Sequence, residues 1–502
     1  MPSAVAAKWK FAAPPKALAA ALAEKFSDRP ERVSTKPVDR AIYGRDLWPR
    51  ELLRLRQGIP PEGPAAIVLA REARDVSDAV SLARELSIPL VPYSGGSGVC
   101  GGAFSVADSL LVDLKGLNQI RRIDAKSGLV EAEGGVNGEK LERELNHAGF
   151  TLGHFPSSIY CSTLGGWLAA RSAGQLSTKY GKIEDMVVSL EAVLPDGSLI
   201  RTPEVPRSSA GPDFKQLLVG SEGTLGVIIA ATLRIHRYPE HREFFSFAFP
   251  TWDAACGAVR EVLQQDLKPA VVRLYDEADT QINAAHLKLP IKGILGVFVS
   301  EGEKRLTEFE ARAVGKVCEA AGGSPLGEAP ARRWWDHRYD VSYNLSKVLP
   351  NAGMILDTME VAATWKNLPA LYAGVRAALS KGSMMVLCHL SHAYLTGASL
   401  YFSVVARAKD EASVLGHYDG LWKGALDAAL EAGGTVSHHH GVGRLKGLWM
   451  VREHEAFQEL FAGVKERLDP KGLFNPGNLG LGMKPSKPVK RAAAKKPKKR
   501  KA

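Results

Sequence analysis

Three adjacent histidines stand near the end of the chain, in the run Ser437-His-His-His-Gly-Val-Gly443. Histidine changes its protonation near neutral pH and is the commonest metal ligand, so such a run is suited to proton transfer. Adjacent residues of a strand point to opposite faces; on a strand, His438 and His440 would share one face and His439 would occupy the other. The run lies between glycines inside the chain and does not resemble a tag, and we predict a functional role for it.

A second histidine group precedes the first, in the run from Cys388 to Phe402. His389 and His392 lie three residues apart, which is a ligand spacing found on helices, and Tyr394 and Tyr401 follow them. A His-x-x-His pair without a Glu or Cys partner is a weak indication of zinc, and we predict no metal site. The five cysteines are scattered and show no CxxC spacing, which predicts buried free thiols in a reducing compartment.

Three glycine-rich stretches lie upstream of the histidines, at residues 89–102, 156–174 and 220–227. The first has four glycines within eight residues, Gly95 to Gly101, after a short apolar run. Without Cβ atoms the backbone can approach a ligand closely, and consecutive N–H groups form a nest suited to a pyrophosphate. The pattern is neither GxGxxG nor GxxxxGK[ST], so the two familiar nucleotide fingerprints do not apply.

The elements that must position these residues follow from apolar periodicity. In the first half we predict strands at 65–70, 88–91, 110–114, 128–133 and 186–194, and helices at 17–26, 75–86 and 137–148. Beyond a boundary at Tyr238-Pro-Glu240 we predict strands at 244–249, 271–274, 293–299 and 398–405, and helices at 252–265 and 304–321. This mixed order indicates an α+β second domain.

Composition indicates an ordinary soluble globular protein, with 502 residues, 45% hydrophobic and 24% charged. The net charge is +11, but residues 484–502 hold ten Lys/Arg and no acid, so 11 − 10 leaves about +1 for the body. We predict a disordered basic tail, for which contact with an anionic membrane is left open, and no specific nucleic-acid module. There is neither a signal peptide nor an apolar stretch near the ~18 residues of a membrane span, and we expect a cytoplasmic protein.

The order and spacing of the glycine-rich stretches resemble the FAD-binding domain of the vanillyl-alcohol oxidase (p-cresol methylhydroxylase-type) flavoproteins, over about residues 59–238. The resemblance implies an α+β fold, with a two-subdomain FAD-binding domain and an α+β cap for the substrate. In that family the first loop cradles the FAD pyrophosphate, the second passes the isoalloxazine ring and the third closes over the nucleotide. The cofactor-binding residues implied here are Pro92, Ser94, Gly95, Gly96, Ser97, Gly98, Pro156, Ser157, Ser162, Thr163, Gly165, Gly166, Ser172, Glu222, Gly226 and Ile228. Ser97 stands where covalent members carry a histidine, which implies non-covalent FAD.

Over about residues 40–480 the chain resembles the alkylglycerone-phosphate synthases more narrowly. The likeness is carried by residues 436–446, 180–185, 211–213 and 272–274. Those enzymes exchange the acyl group of acyl-dihydroxyacetone phosphate for a fatty alcohol in ether-lipid synthesis, with no net redox change of FAD. The resemblance implies catalytic roles for Tyr401, His438, His439 and His440, and substrate binding by Arg273, His389 and His392.

One departure keeps alternatives open. His389 stands where those synthases have a phosphate-binding arginine, and an imidazole is a poorer phosphate ligand at pH 7 than a guanidinium. The second hypothesis is therefore an FAD-linked oxidase or dehydrogenase of a 2-hydroxy acid (D-lactate or glycolate type), in which a histidine is the base. Members of that type carry His, His and Glu where this chain has His389, Tyr401 and His439. The third hypothesis is a binding protein docked through its basic tail, with a vestigial flavin site.

The predicted organisation has five parts. Residues 1–57 form a helical lead segment, 58–240 the FAD-binding domain and 241–430 the cap. Residues 431–483 return the histidines to the flavin, and 484–502 are the tail. The expected partner is a small or lipid-like substrate, and both a homodimer and peripheral membrane contact are left open.

Overall fold

The computed structural model describes residues 11–340 and 351–483; the predicted basic tail lies outside them. The first subdomain contains helices α1 (Lys16–Lys25), α2 (Pro37–Ile42), α3 (Pro49–Arg56) and α4 (Ala73–Leu86), a 3-10 turn at Pro30–Arg32, and strands β1 (Val33–Ser34), β2 (Ala66–Leu69), β3 (Leu90–Tyr93) and β4 (Leu110–Asp113). The sheet order is β1-β2-β4-β3, with β1 antiparallel and the others parallel. The predicted lead segment is therefore built into this subdomain: β1 pairs with β2, and α1 buries Leu18 and Leu22 in its core.

A βαβ unit delivers the chain to the first glycine-rich stretch. Helix α4 begins at a capping box formed by Glu72 and Asp75 and buries the apolar side chains that were spaced at helical period. It ends at Ser87, whose left-handed φ of 53° turns the chain into β3. Because β2, β3 and β4 are parallel, their carboxyl ends lie at one edge of the sheet, and the glycine loop begins there.

The second subdomain is an antiparallel sheet of order β5-β6-β10-β8-β9. Its strands are β5 (Ile120–Asp124), β6 (Leu129–Glu133), β8 (Val187–Val193), β9 (Leu199–Arg201) and β10 (Val227–Arg234), with the short pair β7 (Phe150–Thr151) and β11 (His236–Arg237) beside it. Its helices are α5 (Gly138–His147), α6 (Leu164–Ala170), α7 (Ser177–Tyr180), α8 (Ile183–Met186) and α9 (Lys215–Leu218). The core between sheet and helices includes Trp167, Leu168 and Ile228.

The cap is a seven-stranded antiparallel sheet of order β15-β12-β14-β13-β17-β18-β16. The strands are β12 (His241–Phe249), β13 (Val271–Tyr275), β14 (Ile294–Gly302), β15 (Ser324–Gly327), β16 (Met354–Thr364), β17 (Met385–Tyr394) and β18 (Gly397–Arg407). The helices are α10 (Trp252–Gln264), α11 (Glu277–Leu287), α12 (Lys304–Ala320), α13 (Ala329–His337), α14 (Leu368–Ser380) and α15 (Val414–Glu431). Helices α10, α12, α14 and α15 cover one apolar face of the sheet. The opposite face is turned toward the FAD-binding domain, since Val271 and Val299 pack in its core.

The last helix, α16 (Gly447–Leu468), returns the chain to the FAD-binding domain. Lys465 donates to the carbonyl oxygens of Thr224 (2.7 Å) and Phe474 (2.9 Å). The side chains of Asn475 and Asn478 both donate to the carbonyl oxygen of Gly102, at 2.8 and 2.7 Å. The C-terminal segment thereby closes against the first glycine-rich stretch.

The predicted α+β class is confirmed, and the predicted strands and helices lie at the expected places. Within the described ranges, we find no helix with the length and apolar character that a membrane crossing requires. All five cysteines are free, but the expectation that they are buried is wrong for Cys161, which is exposed on the loop before α6, and for Cys256, which is only half-buried.

Candidate active site

The three glycine-rich stretches come together in space and form what we call the glycine cradle, residues 92–102 with 156–174 and 220–227. A Cβ at Gly95 would lie 2.3 Å from the carbonyl oxygen of Cys161, so the first stretch touches the second through bare backbone. Thr163 Oγ1 also donates to Ser94 Oγ at 2.9 Å. This close approach needs glycine because any side chain would separate the two loops.

The third stretch closes the cradle. The backbone N–H groups of Gly220 and Glu222 donate to carbonyl oxygens of α6 at 2.9 and 3.0 Å. A Cβ at Gly223, whose φ is +73°, would lie 2.9 Å from Pro92 Cγ. Each stretch therefore packs against one of the others, although they are far apart in the chain.

Two glycines leave the backbone of the cradle open to a ligand. A Cβ at Gly98 would meet only Asp46 Oδ2, at 3.4 Å, and one at Gly102 would meet nothing nearer than 3.6 Å. These two glycines are not needed for packing within the loop, so their lack of side chains leaves the loop backbone open to a ligand. Such a backbone suits the pyrophosphate of FAD.

The other predicted cofactor residues divide into two groups. Pro156, Ser157, Ser162, Gly165, Gly166 and Ser172 belong to the second stretch, where Ser162 Oγ accepts from Trp167 (2.8 Å) and Ser172 Oγ is hydrogen-bonded to His154 (2.8 Å). Gly226 and Ile228 contribute to packing, because a Cβ at Gly226 would lie 2.9 Å from the Val193 carbonyl oxygen and Ile228 is buried in the core.

One face of the cap sheet carries a row of polar side chains. Tyr275 on β13 pairs in register with His389 on β17, His389 pairs with Tyr401 on β18, and Tyr401 pairs with Glu360 on β16. Directly paired residues of an antiparallel sheet have their side chains on the same face. Four strands therefore present one continuous polar row, while their alternate residues fill the apolar core behind the sheet.

The three-residue spacing of His389 and His392 does not reflect a helix. Both lie on strand β17, where residues three apart would ordinarily face opposite sides. A shift in register occurs between Leu390 and His392, so Ser391 is an extra residue and His392 pairs with Ser399. This β-bulge brings both histidines to the polar face.

The three adjacent histidines lie on an irregular loop, so the alternation expected for a strand does not apply to them. The loop curls around Glu360, whose carboxylate accepts from the backbone N–H groups of His438 and His440. The rings of His438 and His439 lie 5.1 Å apart, and those of His439 and His440 4.5 Å apart. All three imidazoles therefore belong to one group.

The polar row and the histidine loop form one site, which we call the histidine cluster. Tyr401 lies at its centre, and its other members are His389, His392, Tyr394, His438, His439 and His440. The ring of Tyr401 stacks on His389 (5.0 Å between centroids) and on His439 (6.0 Å), and the ring of His440 meets it edge-on at 5.5 Å. Its hydroxyl donates to Thr358 Oγ1 at 2.9 Å. The tyrosine and the histidines that the sequence singled out are thus in mutual contact.

The rest of the cluster is a chain of hydrogen bonds. Ser177 Oγ is 2.7 Å from His392 Nδ1, and Tyr394 OH is 3.0 Å from His438 Nε2. The Nδ1 atoms of His438 and His439 are hydrogen-bonded at 2.9 Å. One ring nitrogen each of His392, His438 and His439 lie within 4.8 Å of one another. The absence of a resident metal stays a prediction.

Burial keeps the cluster electrically neutral. It lowers the pKa of His438 to about 3 and of His440 to about 4, and it takes the pKa values of His392 and His439 well below the ordinary range. It also raises the pKa of Tyr401 to about 12. At neutral pH the imidazoles are proton acceptors and Tyr401 is a proton donor.

Arg273 is a cation beside this neutral group. It is 8% exposed, its guanidinium lies 5.0 Å over the ring of Trp334, and its Nε is buried without a hydrogen-bond partner. His389 Nδ1 lies 3.2 Å from Asp279 Oδ2. A buried, incompletely paired guanidinium is suited to the anionic end of a substrate.

Several residues of the site were missed by the sequence analysis. They are Ser177, Tyr275, Asp279, Thr358 and Glu360, which contact the predicted residues, and Lys446, which contacts Glu360. The one available signal was a charged residue within an apolar run, as for Glu360 in β16. Such a charge is either an interruption of the strand or a buried functional group.

Comparison with known proteins agrees with this arrangement. The family model described as FAD binding domain matches residues 64–203, and that described as FAD linked oxidases, C-terminal domain, matches residues 238–479. The chain is 32% identical to the alkyldihydroxyacetonephosphate synthase of Dictyostelium discoideum, over 87% of this chain and 76% of that one. It is 31% identical to the uncharacterized FAD-linked oxidoreductase YgcU of Escherichia coli K12, over 83% and 89%. A solved structure of alkyldihydroxyacetonephosphate synthase superposes with a TM-score of 0.79 at 26% identity, covering 94% of this chain and 86% of that one.

The cradle, the cap and these matches define an FAD-dependent enzyme of small-molecule substrates. Within that class, the chain belongs to the FAD-linked oxidase family that contains the alkyldihydroxyacetonephosphate synthases. The family, the FAD cofactor and the two-domain α+β fold implied by the sequence resemblance are thereby confirmed.

Proposed function

We propose that this enzyme exchanges the acyl group of acyl-dihydroxyacetone phosphate for a fatty alcohol, forming an ether lipid precursor. The observation that carries the proposal is the contact of Tyr401 with His389 and His439, a protonated phenol between neutral imidazoles. Exchange of a carboxylate for an alkoxide needs a proton donor and a proton acceptor in one place, and no external oxidant.

The residues of the cradle from Ser94 to Gly98, with those of the second and third stretches, would hold FAD. When bound, FAD supplies a ring that takes up and returns an electron pair of the reacting carbon. Everything else in the exchange is binding and proton transfer. The protein must therefore hold the phosphate, remove a proton from the alcohol and keep water away.

Proton transfer is assigned to Tyr401 and His439. The incoming alcohol loses its hydroxyl proton to His439, which is neutral at pH 7 because burial holds its pKa well below the ordinary value. Tyr401 keeps its proton at neutral pH and donates a hydrogen bond to the departing carboxylate. The proton taken from the alcohol returns to solvent with the free fatty acid, so the exchange balances.

The anionic end of the substrate is assigned to Arg273. Its unpartnered Nε is available for a charge-assisted hydrogen bond, and Trp334 fixes the plane of the guanidinium. His389 lies on the same polar face, one strand away. Since Asp279 contacts His389, that imidazole has a carboxylate partner that favours its charged form once an anion is bound. The second substrate of the proposed reaction is a fatty alcohol. We also propose that the enzyme contacts a membrane peripherally and takes the alcohol from it.

The test uses purified FAD-loaded enzyme. Acyl-dihydroxyacetone phosphate and deuterated hexadecanol are supplied without oxygen, and the product is analysed by mass spectrometry. A deuterated alkyl ether with release of one fatty acid per ether is expected. The variant His439→Ala serves as the negative control, and His337→Ala, an exposed histidine, as the matched positive control. No ether from enzyme of normal flavin content would contradict the proposal.

A second function is favoured by one feature, the His389–Asp279 pair. An imidazole backed by a carboxylate is suited to draw the hydroxyl proton of a 2-hydroxy acid, for which bound FAD would supply the hydride acceptor. This oxidoreductase function is tested by the visible absorbance of the same FAD-loaded enzyme. Anaerobic D-lactate, glycolate or D-2-hydroxyglutarate would bleach the flavin absorbance within a turnover, whereas the exchange reaction predicts no bleaching by any of them.

A further inference from the structure

We infer that Glu360 and Lys446 form a buried positioning pair, which holds the histidine cluster in place and tunes the proton affinity of its imidazoles by charge. This inference rests on the proposed function, because it assigns the pair to the proton-transfer step. Neither residue contacts the reacting atoms in the arrangement proposed above; both act through the loop of residues 437–443.

Both carboxylate oxygens of Glu360 accept hydrogen bonds. Glu360 is completely buried, and its Oε1 accepts from Lys446 Nζ (2.6 Å), from His440 N (2.9 Å) and from Ser437 Oγ (3.2 Å). Its Oε2 accepts from His438 N. Lys446 and two backbone N–H groups of the histidine loop therefore converge on one side chain, while the single hydroxyl proton of Ser437 is shared with the Gly441 carbonyl oxygen at 2.8 Å.

Lys446 is equally buried, and Ser437 Oγ is its second acceptor at 3.2 Å. It lies at the start of α16, whereas Glu360 lies in the middle of β16. The pair thus ties the cap sheet to the segment that returns to the FAD-binding domain. Burying two charges is costly unless they are paired and hydrogen-bonded, and an apolar pair of the same volume would serve stability as well. The charges therefore point to a role beyond stability.

A second carboxylate fixes the other end of the loop without a cation. Glu222, from the third glycine-rich stretch, accepts from the backbone N–H groups of Val442 (2.6 Å) and Gly443 (2.8 Å). Burial raises the pKa of Glu222 to about 7. Burial opposes ionisation of Glu360 as well, but Lys446, His440 and the backbone donors outweigh it and hold its pKa at about 2. Glu360 is therefore the permanent negative charge of the loop.

The charge acts most directly on His440. Its Nδ1 lies 3.7 Å from Glu360 Oε1 and is otherwise buried without a hydrogen-bond partner. The charge of Glu360 raises the proton affinity of His440, and that of Lys446 lowers it. The other titratable groups around the loop are the remaining cluster histidines, Tyr401, Tyr394, Glu222 and Lys182. Removing one member of the pair shifts the cluster in one direction, and removing the other shifts it in the opposite direction.

The experiment compares FAD-loaded Glu360→Gln, Lys446→Met and the double variant. Loss of the negative charge is expected to move the acid limb of the kcat/KM profile to lower pH, and loss of the positive charge to move it to higher pH, each by about one pH unit. We expect kcat to fall about tenfold or more in each single variant, with KM changed less than about threefold. The double variant is expected to return the limb toward the wild-type position. Glu360→Asp keeps the charge and is expected to keep the profile at reduced kcat.

The matched control is a second buried pair, Lys465 and Asp469, which lies outside the loop. Lys465→Met is expected to lower the melting temperature and leave the pH profile unchanged. If the variants at 360 and 446 behave in the same way, the pair is only structural and the inference is overturned. Where Glu360→Gln does not fold, the comparison of Lys446→Met with the double variant carries the same test, because the two differ only in the charge at position 360.

Failure of the proposed function is distinguishable from failure of this inference. Histidine protonation is read directly from ring ¹⁵N shifts of labelled holoenzyme titrated between pH 3 and 8, with no substrate present. Opposite shifts for the two single variants support the pair even where no ether is formed. Equal or absent shifts overturn it even where the exchange reaction is observed.

Discussion

The glycine cradle and the histidine cluster are built on opposite principles. The cradle consists of backbone brought close together, as shown by the 2.3 Å that would separate a Cβ at Gly95 from the Cys161 carbonyl oxygen. The cluster consists of side chains brought together by strand register, by the bulge at Ser391 and by the carboxylate of Glu360. The cradle therefore depends on absent side chains, and the cluster depends on the positions of a few present ones.

Because the cradle and the cluster are built differently, substitutions in the two regions should have different effects. A change in the cradle alters the distance between loops and should show first as lost cofactor. A change in the cluster leaves the cradle intact and should show as lost turnover with the flavin still bound. The histidine loop is held by one carboxylate from each domain, Glu360 of the cap and Glu222 of the FAD-binding domain.

The largest effect is expected from His439→Ala. The substitution removes the proposed proton acceptor that stacks on Tyr401, and turnover should fall about 10³-fold. The visible spectrum of the purified variant should still show a full complement of FAD, because His439 makes no contact with the cradle loop of residues 92–102 among the described hydrogen bonds and ring contacts. Loss of flavin in proportion to activity would mean that the cluster is structural.

The converse change is Gly95→Ala, which is expected to spare the cluster and empty the cradle. A methyl group 2.3 Å from a carbonyl oxygen must push the first and second stretches apart. We expect FAD affinity to fall about 100-fold, or about 3 kcal/mol, measured by fluorescence on titrating FAD into the apoprotein. Gly416→Ala is the control, since a Cβ there meets nothing within 4 Å. Retained affinity at position 95 would show that the two loops are free to separate.

The two regions also differ in how far the sequence predicts them. The cradle was predictable because glycine spacing survives in the linear order of residues, and the first loop follows a βαβ unit whose periodicity is clear. The members of the cluster were found as residue types, but their arrangement was not. The pairing of His389 with Tyr401 depends on register, and the common face of His389 and His392 depends on a bulge that no local pattern announces.

Glu360 illustrates the remaining gap. Strand β16, which carries it, was not predicted, and its partner Lys446 lies at the start of a helix that was not predicted either. A lone glutamate and a lone lysine 86 positions apart carry no sign of mutual contact in the sequence. Long-range pairing is decided by tertiary packing, which local propensity does not contain.

A smaller effect, on binding alone, is expected from Arg273→Gln. The variant removes the buried guanidinium but keeps a planar hydrogen-bonding group over Trp334. We expect KM for acyl-dihydroxyacetone phosphate to rise about 30-fold, the equivalent of about 2 kcal/mol for a charge-assisted hydrogen bond, with kcat changed much less. Arg273→Lys should recover only part of the loss, because an ammonium cannot reproduce the planar fork. Equal losses in kcat and kcat/KM would place Arg273 with the proton-transfer groups instead.

The smallest effect is expected from His389→Arg, which adds a permanent charge to the same polar face. Burial lowers the pKa of His389, so in the wild type this imidazole is neutral at pH 8 and contributes little to holding a phosphate. An arginine is charged at every pH, and Asp279 is already in place to pair with it. KM should therefore fall about threefold relative to the wild type at pH 8 and stay lower toward pH 6, because the lowered pKa of His389 delays protonation of the wild-type imidazole to more acidic pH. The ratio of the two KM values across this range is the measurement. A ratio that stays at one would show that His389 does not face the anion, and the His389–Asp279 pair would then be better explained as the base of a hydroxy-acid oxidoreductase.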